Sequence, residues 1–204
     1  MSAGLRAVVA LTLVVRAAGA QDPRLAQRLD KPTYVAVNAI VDSARVARLP
    51  TAPLVDKALE GAAKGSDGQK IVAAVHQLSI RMAVSRRALG SSATGDEIKA
   101  AATALGAGMS ERDLQRLRVA AGKRPVTMPL AVAIDLIGRD VPVATASSLV
   151  IQLARSSVKD SDLALFQRNV RADIDRGADP TVAATTRARG LVLRGGSSAP
   201  KPSE

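Results

Sequence analysis

One histidine, no cysteine and scattered carboxylates are the chemical material of these 204 residues. A metal site of the thiolate or imidazole kind needs several such ligands held close together. A lone His76 leaves only an all-carboxylate shell. Asp96, Asp113, Asp160 and Asp162 do not reproduce the spacing of a calcium loop. His76 is expected inside a helix, half-buried at the edge of an apolar stripe with Val72 and Val75. No acid stands three or four residues away to make it a general base. Ser66, Ser79, Ser110, Ser147, Ser148 and Ser161 fall in neither a G-x-S-x-G elbow nor a Ser-x-x-Lys arrangement.

Among the acids, Glu60 stands out within Ala58-Leu-Glu-Gly-Ala-Ala-Lys64, where an ion pair to Lys64 or back to Lys57 explains it. A pair of carboxylates could hydrolyse a glycan. Tyr34 and Phe166, however, are the only rings available to line a sugar cleft. Lys64-Gly-Ser-Asp-Gly-Gln-Lys70 has the look of a phosphate loop. It lacks the G-x-x-x-x-G-K-[ST] spacing and the preceding strand, and reads as a connection between helices. No residue is therefore assigned a catalytic, metal-binding or cofactor-binding role, and no cofactor is expected.

Charge is the remaining lead. The formal net charge is +11. Arg81, Arg86 and Arg87 crowd the end of a long helical pattern, and Arg112, Arg116, Arg118, Lys123 and Arg124 gather around Ser110–Asp113. These eight are the candidate polyanion-binding residues. Such a field attracts anionic headgroups, envelope polymers or acidic proteins. Nucleic acid would be attracted too, but stacking rings and a recognisable reading module are missing. The plainer reading is a solvated, arginine-biased surface, with several arginines near helix C-termini where they favour the dipole.

The elements that carry these residues read as helices. Alanine supplies roughly a fifth of the chain and loses no side-chain entropy in a helix. Valine sits among the alanines at helical spacing instead of in alternating runs. Apolar stripes recur at three- and four-residue steps over about 34–48, 69–89, 127–137 and 160–176. Ser66–Gln69, Thr94–Glu97 and Ser110–Asp113 have the spacing of capping boxes. Thr51-Ala-Pro-Leu54 and Thr127-Met-Pro-Leu130 each head a short helix, with Thr51 as a cap, while Asp160 or Ser161 and then Asp179 cap later ones. No proline falls inside an expected helix. Breaks near Gly108, Arg124, Asp140, Ser157 and Gly177 lie one helix and one loop apart, so two steps approach an α-hairpin repeat. The expected fold is all-α, about eight short helices joined by tight loops. Two arrangements remain open, a helical-repeat-like array and an irregular bundle.

Met1–Arg6 carries one positive side chain, Ala7–Val15 is apolar, and Ala18 and Ala20 occupy small-residue positions before the polar Gln21-Asp22-Pro23. This is the order of a cleavable secretory signal, with cleavage expected after Ala20. The apolar run is too short to span hydrocarbon. Removing residues 1–20 takes away Arg6 and Arg16 and no acid, so the charge falls from +11 to +9. The expected organisation is a signal at 1–20, an irregular segment at 21–33, a helical domain at 34–194 and a disordered tail at 195–204. The expected role is that of an exported protein, periplasmic or extracellular, which binds or scaffolds in the bacterial envelope without catalysis. Electrostatic attachment to an anionic membrane surface or envelope polymer is the alternative, and a hydrolase of envelope material the third reading.

Overall fold

The computed structural model describes residues 22–195, and these are helical with short connections. The signal expected at 1–20 lies outside the described residues, as does the expected tail beyond Gly195. Ten helices occur in order: α1 Pro23–Arg28, α2 Lys31–Val46, α3 Ala52–Ala63, α4 Gly68–Leu89, α5 Gly95–Gly106, α6 Glu111–Ala121, α7 Thr127–Ile137, α8 Val143–Arg155, α9 Asp160–Asp175 and α10 Pro180–Gly195. The count exceeds the expected eight partly because residues 23–33 are largely helical. Asp22 caps α1 through the Arg24 N–H, and Asp30 caps α2 through the Thr33 N–H. The prolines that suggested irregular chain, Pro23 and Pro32, occupy first-turn positions where a missing N–H costs nothing.

One kind of turn ends most helices. Arg48, Gly65, Gly108, Asp140, Ser157 and Gly177 all have positive φ. The next residue's N–H reaches back to a carbonyl five residues earlier, as from Leu49 to Ala44, Met109 to Ala104, Val141 to Leu136 and Val158 to Leu153, at 2.9–3.3 Å. This is the Schellman closure, in which an apolar residue after the left-handed position packs back on the helix just ended. Leu49, Met109 and Val141 are buried in this way. The N-cap of the following helix comes one or two residues later, so the geometry repeats even though the residues do not. A left-handed conformation costs a non-glycine residue about 1–2 kcal/mol, and glycine returns part of that as entropy. Arg48→Gly and Ser157→Gly should therefore each raise unfolding free energy by about 0.5–1 kcal/mol. Urea denaturation checks this, and a loss of stability at both sites would refute it.

The packing is that of an array. The even-numbered helices form one row, with α2 on α4, α4 on α6, α6 on α8 and α8 on α10. The odd-numbered helices back this row, with α1 on α3, α5 on α7 and α7 on α9. All substantial packing joins helices that are adjacent or next but one in the chain. Small residues allow close approach within a row. A Cβ on Gly68 would lie 2.0 Å from the Thr33 hydroxyl of α2.

Two apolar cores result. The first unites α1–α4 around Leu25, Val37, Leu54, Val75 and Met82, and the second unites α6–α10 around Leu117, Leu136, Leu153 and Phe166. Helices α4 and α5 serve both: α5 sends Ile98 and Ala102 into the first and Ala101 and Ala104 into the second, and the end of α4 adds Ala88 and Leu89 to the second. Among the described residues, no helix is long and apolar enough to cross a membrane.

Candidate functional site

At the junction of the two cores lies a buried carboxylate. Glu97 is the third residue of α5 and completes a full capping box, accepting the Thr94 N–H at 2.9 Å while Thr94 Oγ1 accepts the Glu97 N–H. Its other oxygen accepts the Val126 N–H at 3.0 Å and the Arg118 guanidinium at 3.0 Å. Val126 is the N-cap of α7 and offers no side-chain cap of its own, so Glu97 supplies the negative group at that helix start. Arg118 also donates to the Arg124 carbonyl, and Arg124 to the carbonyl of Ala154 near the end of α8. One carboxylate and two guanidiniums thus tie four elements together. Burial pushes the Glu97 pKa up, but the Thr94 and Val126 N–H groups and Arg118 outweigh it and hold the carboxyl below its usual range.

A groove of about 930 Å³ opens beside this network, between α5 and the α6–α7 turn. Leu89, Ala100 and Ile134 give it an apolar floor, and Lys99, Lys123 and Asp96 stand on its rim. Three further hollows lie between neighbours in the even row. Two join end to end between α2 and α4, about 680 and 420 Å³, and share Ala39, Ile40 and His76. The third, about 460 Å³, lies between α8 and α10. His76 is exposed in the first of these hollows, against the expectation of half-burial, because the alanines around it leave the groove open.

The eight basic candidates do not form one patch. Arg86 donates to the carbonyls of Ala47 (3.0 Å) and Arg48 (2.6 Å), closing the end of α2. Arg118 and Arg124 belong to the Glu97 network, and Arg81 is half-buried with its Nε enclosed. Four remain exposed. Arg87 lies 3.5 Å from Glu111, Arg116 lies 3.6 Å from Asp113, Arg112 has no acidic partner among the described residues, and Lys123 borders the large groove. The spacing that suggested a cluster could not separate these roles, because acceptors such as the Ala47 and Ala154 carbonyls come from distant helices.

Two exposed acids are each held by two cations. Glu60 pairs with both Lys64 (2.5 Å) and Lys57 (2.9 Å), which lower its pKa to about 2. Asp173, bonded by Arg187 and Arg176, is likewise lowered to about 2. A general acid at neutral pH needs the opposite shift. Ser156 and Lys159 do stand in Ser-x-x-Lys order, but they flank the left-handed Ser157 as the C-cap of α8 and the N-cap of α9, and share no helix face. Among the described residues, no three His, Asp or Glu side chains converge where an ion could sit. Comparison with protein-family models, curated proteins and solved structures finds no match to this chain.

Proposed function

We propose that the chain is an exported, non-catalytic scaffold of the bacterial envelope that takes a protein partner on the surface of its helical array. The observation that carries this reading is the open row-on-row packing. Helices that touch only their near neighbours leave a groove between successive members of a row. Extended surfaces of this kind are what stacked helical hairpins offer to peptides and proteins. The order of charged, apolar and small residues in Met1–Ala20 supports export.

The test is capture from an envelope extract on immobilised residues 21–204, with mass spectrometry of the bound fraction. A partner recovered in stoichiometric amount is the expected result. Recovery of none would end the scaffold reading. Mass spectrometry of the chain recovered from its producing cell checks export separately, with Gln21 expected as the first residue.

A further inference from the structure

The two rows differ in charge. Helices α4, α8 and α10 contain no Asp or Glu, whereas α3, α5, α7 and α9 all contain acids, four of them in α9. Helices α4 and α8 are flanked by their own row and backed by odd-numbered helices, and α6 lies between α4 and α8 with Leu114, Leu117 and Ala121 turned into the core, so the exposed side chains of these helices point outward. Those side chains form stripes. On α6 they are Arg112, Gln115, Arg116 and Val119, and on α8 they are Ala144, Ser148, Gln152 and Arg155. The acids on α4, α6 and α8 are Glu111 and Asp113 alone, both half-buried in the first turn of α6 beside Arg87 and Arg116. Arg112 and Arg155, and Arg189 on α10, have no acidic partner among the described residues.

The same row carries most of the exposed apolar groups. Among the described residues, six of the seven large exposed apolar side chains belong to even-numbered helices: Val35, Val46, Ile80, Val119, Val182 and Leu193. Val119 is 82% exposed and sits between Arg112, Arg116 and the end of α6. The α2–α4 and α8–α10 hollows open on this face, since they are lined by the outward residues Ala73, His76 and Ile80 in one case and Ser148 and Gln152 in the other. We infer that the outer face of the even row docks an acidic protein segment whose apolar side chains seat in these hollows.

Charge complementarity selects the occupant. A second copy of a chain with net charge +11, or +9 without residues 1–20, is repelled. A lipid surface is flat and usually takes up aromatic side chains, whereas this face is grooved and has none. Ridges of a partner helix fill such grooves. The inference rests on the scaffold reading and adds the face and the chemistry of the partner.

The experiment uses protein expressed from the full sequence and a synthetic 20-residue peptide with Glu and Leu at helical spacing. Nuclear magnetic resonance shifts should map to the outward stripes of α4, α6, α8 and α10. Arg112→Glu with Arg155→Glu should weaken binding about tenfold or more. Ile80→Ser with Val119→Ser, at unchanged charge, should weaken it about fivefold. Arg28→Glu with Arg168→Glu on the odd row should leave it unchanged. All six sites are exposed, and unchanged helicity by circular dichroism confirms that the variants fold. An unaffected serine double variant would overturn the inference, as would shifts on the odd row. So would retention of the chain on vesicles of anionic lipid without peptide binding. A captured partner that still binds the Arg112→Glu, Arg155→Glu variant would sink this inference and leave the scaffold intact. Capture of no partner would sink the scaffold itself.

Discussion

Replacing Glu97 with alanine should lower unfolding free energy by about 3–4 kcal/mol and the melting temperature by about 10 °C. The carboxylate is 6% exposed and receives three donors, Thr94 N–H, Val126 N–H and Arg118. Its removal leaves Arg118, 18% exposed, without a counter-charge, and leaves the start of α7 without a negative group. Losing one member of a buried pair costs more than losing both. Glu97→Leu with Arg118→Leu should therefore recover part of the loss.

Acid should act through the same group. Its folded pKa lies below its unfolded value, so its contribution is complete above about pH 5 and fades as pH falls through the folded value. Urea denaturation at neutral and acid pH checks both points. The alanine variant should lose less stability on acidification than the parent. A neutral-pH loss below about 1 kcal/mol would refute the account.

The other large effect is expected at Phe166, a ring 2% exposed at the centre of the second core. Phe166→Ala should cost about 3–5 kcal/mol, through lost burial and the cavity left behind. In an array the loss should also be local, because each helix is supported only by its near neighbours. Hydrogen exchange should show faster opening in α7–α10 while α2–α4 keep their protection. Equal acceleration throughout would show that the two cores open as one unit.

Periodicity and breakers made the helices legible. Thr94–Glu97 is a full capping box, and Asp179 caps α10 by accepting the Val182 N–H. The expected breaks at Gly108, Asp140, Ser157 and Gly177 are positive-φ turns. The exact caps were read less well. Asp67 caps α4 in place of Ser66, Thr51 makes no cap bond, and Lys159 precedes Asp160 as the N-cap of α9, whereas Thr127 does head α7. A one-residue shift in a cap depends on backbone geometry that spacing does not encode. The Glu97–Arg118–Arg124 network was hidden for a related reason, since its partners come from four elements. The charge difference between rows was equally hidden, because it exists only once alternate helices are known to line up.

The row-on-row packing has a kinetic meaning. Packing that joins mainly helices adjacent or next but one keeps sequence separation short relative to chain length. Little loop-closure entropy then precedes the first favourable contact, and chains of such low contact order refold fast for their size. Each helix finds its supports within the two that have just preceded it. A chain emerging end-first from the ribosome can therefore consolidate as it lengthens, without waiting for its last residues.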